Sequence, residues 1–144
     1  MEYIHYGTAE YSKDKFTEIK NERLFTKPIG GLWASRVDSE YGWKNWTEDE
    51  HFRTEVYRED NYFKFKLKDE AKVLVIDNAK QILDLPKQKN EFNFSFVCLD
   101  FEKLAKEYDA IEVLISQDGK LYWDLYGWDC DSILVMNKEM VEVI

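Results

Sequence analysis

The chain has 144 residues, enough for one domain with a substantial hydrophobic core. A formal net charge of −9 argues against a general binder of phosphate backbones and suits a soluble surface, a basic partner or mimicry of nucleic acid. Two cysteines, Cys98 and Cys130, cannot make a disulfide framework and have no metal spacing, and neither a signal peptide nor a membrane-spanning apolar run is visible, so a cytoplasmic location is expected.

Residues 1–8, MEYIHYGT, read as a short strand ending at Gly7. Residues 9–30 are polar and irregular, with one helical turn expected near 12–16. Thr26-Lys27-Pro28-Ile29-Gly30-Gly31 is a turn by its Pro and Gly content. GLWASR at 31–36 predicts a second short strand. Asp38 is a good N-cap, so a helix is expected over 39–46, weakened by Gly42 and carrying Tyr41, Trp43 and Trp46. Thr47-Glu48-Asp49-Glu50 has the form of a capping box and predicts a further helical turn through His51 and Phe52.

YFKFKLK at 62–68 alternates, with Phe63, Phe65 and Leu67 on one face and Lys64, Lys66 and Lys68 on the other, as a half-exposed strand does. AKVLVI at 71–76 is a continuous apolar run and predicts a buried strand. Asp77 caps a short helix over 78–83 that stops ahead of Pro86. The run at 92–99 is apolar without a clear period. Asp100 caps a helix over 101–108, and AIEVLIS at 110–116 is the next strand. Glu112 points opposite to Ile111 and Val113, toward solvent or a pocket, and solvent is the expected side. Gln117-Asp118-Gly119 reads as a turn. Strands at 132–137 and 140–144, joined by a turn at 137–139, close the chain. Strands dominate and helices are short. The expected fold is α+β, a single domain over 1–144 with two packed, mostly antiparallel small sheets and short helices at one side.

The stretch 121–137, LYWDLYGWDCDSILVMN, gathers Tyr122, Trp123, Tyr126 and Trp128 with Asp124, Asp129 and Asp131. It reads either as an aromatic loop closing the core with solvated aspartates, or as aromatic faces and carboxylates that hold a flat, positively charged or sugar-bearing ligand. His5 and His51 are the only histidines, and no HExxH spacing, P-loop, GxGxxG or nucleophile elbow occurs, so no metal site is expected.

HYGT in the first strand, GGLWAS in the second, YDAIEV followed later by SILVMN, and a final MVEVI run in one order over nearly the whole chain. This order resembles the ADP-ribosyltransferase superfamily, the NAD-using group that includes the diphtheria-toxin-like and poly-ADP-ribose-polymerase-like enzymes. The resemblance implies a split β core, NAD bound as substrate in a cleft between sheets, and transfer of ADP-ribose to an acceptor. The family's glycine falls on Gly7, its hydroxyl residue on Thr8, and its second-strand aromatic on Trp33 with Ser35 after it. Its histidine falls on Tyr6, with His5 one place early and so on the other strand face. Its glutamate falls on Ser132, and the nearest carboxylates are Asp131 and Asp129.

By that resemblance His5, Asp131 and Asp129 are the implied catalytic residues. Tyr6, Gly7, Thr8, Trp33, Ser35, Arg36, Tyr122 and Trp128 are the implied contacts to NAD; Arg36, just past the second strand, either bonds the pyrophosphate bidentately or makes a surface salt bridge, and the salt bridge is the expected role. The chemistry suits these residue types. Loss of nicotinamide passes through an oxocarbenium-like state that a carboxylate stabilises, and aromatic walls suit the ring. Analogy at the level of fold suggests a toxin or effector of a bacterium or phage. The alternative is a non-enzymatic acidic module on the same fold that engages a protein partner or mimics nucleic acid. In the enzyme, Asp131 and His5 are expected to converge on one pocket. In the module, acidic residues are expected to spread over an exposed face.

Overall fold

The computed structural model describes residues 1–23, 25–52, 60–89 and 95–144. In chain order the elements are β1 (Tyr3–Tyr6), β2 (Leu32–Arg36), α1 (Trp43–Asp49), β3 (Tyr62–Leu67), β4 (Val73–Ile76), α2 (Phe101–Glu107), β5 (Ala110–Val113), α3 (Gly119–Asp124), β6 (Ser132–Val135) and β7 (Val141–Val143). Single 3-10 turns lie at Lys13–Lys15, Ala79–Ile82, Ile115–Gln117 and Lys138–Met140. The fold is α+β. Among the described residues no helix is long and apolar enough to cross a membrane.

The seven strands form one mixed sheet in the order β4-β5-β6-β2-β1-β3-β7, where two packed sheets were expected. The reason is β2, which both halves share. Leu32, Trp33 and Ala34 pair with β6, while Ser35 and Arg36 pair with β1. Among the described residues only β4 and β5 run parallel, and α2 lies in the crossover between them.

This sheet cannot be flat. β6 ends at Val135 and β7 begins at Val141, four positions away in the strand order. Four spacings of about 4.8 Å make roughly 19 Å. Six residue steps reach that distance only when fully extended, at about 3.5 Å each. Lys138–Met140 is instead a 3-10 turn, which rises only about 2 Å per residue. The sheet therefore curls, and Val141 joins Ala110, Ile133 and Val135 in one cluster on its concave face, with Phe63 and Phe65 of β3. The alternation in β3 places those two rings inward as the sequence predicts. The convex face carries Ile76, Ile111, Val113 and Leu134, packed against Phe101 and Leu104 of α2, Leu121 of α3 and Trp128.

Several local features differ from the sequence expectation, each for a physical reason. α1 starts at Trp43, not near 39, because Gly42 takes the N-cap and the Trp43 N–H donates to Ser35 Oγ of β2 at 3.0 Å. Thr47 then lies inside a running helix, buried, with its hydroxyl donating to the Lys44 carbonyl, so its capping box opens no new helix. β4 is an edge strand, and Val75 is exposed where a buried strand was expected. Asn78 caps the turn that Asp77 was expected to cap, with Gln81 completing the box. Asp118, read as a turn residue, accepts from the Lys120 N–H and starts α3, which makes residues 119–124 helical. Asp100 caps α2 as expected, accepting from the Lys103 N–H. The apolar run at 92–99 lies partly outside the described residues.

Candidate functional site

A cleft of about 250 Å³ opens where β1 ends, lined by His5, Tyr6, Lys27, Pro28, Trp33 and Trp43. Its floor comes from β1 and β2, one wall from the turn before β2, and the other from the first residue of α1. Gly7 ends β1 with a φ of 115° that favours glycine, and its N–H donates to the Asn61 carbonyl. Gly30, at φ 94°, brings the turn so close that a Cβ there would run into the Glu18 carbonyl. The same turn carries Lys27 and Pro28, which line the cleft.

His5 bonds the Trp33 carbonyl through Nδ1 at 2.6 Å. A carbonyl only accepts, so Nδ1 carries the hydrogen and Nε2 of the neutral ring is left as an acceptor. Burial lowers the His5 pKa from its ordinary value, and the bond to Trp33 opposes this only in part. The sign of the pH dependence follows. Below about pH 6.5 the unfolded chain takes up a proton that folded His5 still refuses. Stability is therefore lost as pH falls from about 6.5 toward the lowered folded value, and then levels off. We expect His5→Gln to flatten this part of a melting-temperature profile recorded between about pH 5 and 8. Parallel profiles for the two proteins would refute the assignment.

The Lys27 ammonium lies 5.2 Å from the Trp43 ring centre and 5.6 Å from that of Trp33. Its Nζ is also 3.7 Å from Asp129 Oδ2. Burial pulls the Lys27 pKa below its ordinary value, against the pull of Asp129. Two indole faces and one carboxylate therefore hold a partly desolvated cation in the cleft.

The remaining predicted residues divide among other places. Ser35 is buried, donates to the Asp131 carbonyl at 2.8 Å and receives the Trp43 N–H, so it ties β2 to its neighbours. Asp131 accepts from the Ser116 N–H at 2.9 Å and from the Ser116 hydroxyl. It borders a separate cavity of about 290 Å³ with Arg36, Glu112 and Tyr41. Asp131 and His5 thus line different cavities, contrary to the expected convergence. Arg36 is committed within the protein, its Nε and Nη2 donating to both oxygens of Glu112 at 2.8 and 2.7 Å. Glu112, expected in solvent, is only 2% exposed. The sheet explains it: Glu112 sits opposite Ile133, which sits opposite Ala34, and Arg36 follows two places along the same face.

Thr8 is exposed and donates to the Glu10 carbonyl. It borders a pocket of about 160 Å³ that shares His5 with the cleft. Trp128 is fully buried, its indole N–H donating to the Thr26 carbonyl at 2.9 Å, and belongs to the core. It meets Trp33 edge-on with centroids 4.8 Å apart, which fixes that wall of the cleft. Tyr122 and Asp129 border a fourth cavity of about 410 Å³ with Tyr41, Trp46 and Asp49. Lys27, Pro28, Trp43 and the buried role of Glu112 are what the sequence reading missed. A carboxylate inside an apolar strand was the available signal for Glu112. Among the described residues no three His, Cys, Asp or Glu side chains gather as metal ligands. No protein-family model matches the chain, and no curated protein or solved structure does either.

Proposed function

We propose that the cleft at the end of β1 binds the nicotinamide half of NAD and that the chain is an ADP-ribosyltransferase-like domain. The observation that carries this reading is the meeting of His5, Tyr6 and Trp33 with Trp43 and Lys27 around one cleft. Trp33 and Trp43 already attract a cation, the Lys27 ammonium, and the same faces suit the positively charged pyridinium ring of NAD. Lys27, displaced from the indoles, offers its charge to the pyrophosphate. His5 Nε2 offers an acceptor for a ribose hydroxyl. The charge-stabilising carboxylate in this reading is Asp129, next to Lys27, in place of Asp131, which Ser116 holds in another cavity. The curled sheet, closed on its concave side by β7, is compatible with the split β core of that superfamily.

The test is titration with NAD, followed by melting temperature and tryptophan fluorescence. A ligand that binds only the folded state stabilises it by about 2.7 kcal/mol at a hundredfold excess over its dissociation constant. NAD is expected to raise the melting temperature of the wild type and of Trp123→Ala, and to leave Trp43→Ala unmoved. No shift at millimolar NAD in the wild type would sink the reading.

A second reading, an acidic module that docks on a protein partner, has its own support. Trp123 and Tyr126 stand exposed with rings 6.0 Å apart and only 2° from parallel. It predicts that a partner captured by the wild type is lost with Trp123→Ser, whatever NAD does. Retention of the partner by that variant would count against it.

A further inference from the structure

We propose that Lys27 is a carbonyl-reactive amine, and that the cleft of about 250 Å³ around it holds an aromatic aldehyde as a protonated imine on Lys27 Nζ. The proposal goes beyond the NAD reading and does not rest on it. An amine attacks a carbonyl only in its neutral form, and bulk water keeps a surface lysine protonated. The fold shields Lys27 from that water. Its side chain is 29% exposed, against 50 to 71% for Lys13, Lys20, Lys66, Lys103 and Lys120. The turn before β2 carries it into the cleft, where Trp33 and Trp43 flank the ammonium. Burial already draws its pKa below the ordinary value, which raises the fraction of neutral amine.

Two further features of the cleft suit a covalent ligand of this class. Nζ lies 3.7 Å from Asp129 Oδ2, longer than a direct hydrogen bond, so a small movement of the lysine lets the carboxylate take its proton and later return it. The space beside the amine is walled by Tyr6, Pro28, Trp33 and Trp43, and flat apolar walls suit an aromatic ring on the carbonyl carbon. The imine also keeps a positive charge where the ammonium had it. The indole faces and the carboxylate that hold the ammonium therefore hold the product as well.

The step balances without an oxidant or reductant. Asp129 takes one proton from the Lys27 ammonium. The freed lone pair bonds to the carbonyl carbon, and a proton passes from nitrogen to oxygen to give a neutral carbinolamine. Asp129 then returns its proton to the hydroxyl. The carbon–oxygen bond breaks, water leaves, and the nitrogen lone pair closes the double bond. Ammonium and aldehyde become iminium and water.

The probes are benzaldehyde and acetaldehyde, each incubated with the wild-type protein and cyanoborohydride, which reduces the imine to a stable secondary amine. Peptide mass spectrometry gives the labelling rate at each lysine. Near pH 7 benzaldehyde is expected to label Lys27 about tenfold faster than the exposed lysines. Acetaldehyde, which has the carbonyl and no ring, is expected to show a clearly smaller lead. The lead is expected to shrink as pH rises toward about 10.4, where exposed lysines lose their protons too. If Lys27 labels no faster than the exposed lysines, or leads equally with both aldehydes, the proposal is overturned. These rates are measured without NAD, so that failure leaves the NAD reading to its own titration. Excess NAD is expected to slow labelling at Lys27 and not at the exposed lysines, because both ligands need the cleft. If Lys27 keeps its lead with benzaldehyde and NAD does not slow it, the lysine site stands and the NAD reading falls.

Discussion

Arg36→Met is expected to destabilise the fold by about 3–5 kcal/mol, while Glu112→Gln costs only about 1–2 kcal/mol. The two residues make one bidentate pair, yet their surroundings differ. The Glu112 side chain is 3% exposed and that of Arg36 is 30% exposed. Removing the arginine takes both donors from a carboxylate that is almost wholly buried. Removing the charge on Glu112 leaves a guanidinium that still reaches solvent. Burial and the nearby Glu112 push the Tyr3 hydroxyl up to about 12, so it stays neutral and brings no second charge to the site. Arg36→Met combined with Glu112→Leu is expected to recover most of the loss, because a buried ion pair is often replaceable by apolar groups of similar size. Urea denaturation of the wild type and the three variants measures these differences. Equal losses for the two single variants would show that the burial difference does not control the pair.

Which parts of this molecule could be read in advance depends on whether their cause is local. β3 was legible because alternation over six residues has one strand solution. α2 was legible because Asp100 caps it three residues from its partner amide. The start of α1 was not, since its first amide is held by Ser35, a side chain of another strand. The curl of the sheet was also hidden. It follows from a strand order that no run of residues displays, together with the short link from β6 to β7.

The same division runs through the site. His5, Tyr6 and Trp33 lie in two short strand motifs, and the antiparallel pairing of β1 with β2 brings those strands side by side. Lys27 and Trp43 reach the cleft through a turn and a helix start whose positions depend on distant partners. Asp131 and Asp129 looked interchangeable from their distance to β6. Only the structure separates them, by the bonds of one to Ser116 and the proximity of the other to Lys27. For Arg36 and Glu112, pairing required the alignment of β2, β6 and β5, which is a property of the assembled sheet.

Trp128→Ala is expected to cost about 3–5 kcal/mol. Trp123→Ala, five residues earlier, is expected to stay within about 0.5 kcal/mol of the wild type. Trp128 is fully buried and packs edge-on against Trp33 and nearly parallel to Phe101, with centroids 4.8 and 6.2 Å away. Truncation removes a whole indole from the convex core beneath α2 and α3, and neighbours held in a sheet close such a void only partly. It also strands the Thr26 carbonyl that the indole N–H satisfies. Trp123 is 66% exposed, so its removal leaves no void. Trp128→Phe separates the two contributions: it keeps most of the packing, loses the hydrogen bond, and is expected to cost about 1–3 kcal/mol. Because Trp128 braces Trp33, the Phe variant is also expected to bind NAD more weakly than Trp123→Ala does. Thermal and urea unfolding rank the three variants. A Trp128→Ala protein as stable as Trp123→Ala would mean that the aromatic run 122–128 faces solvent throughout, and the cleft wall built on Trp33 would lose its support.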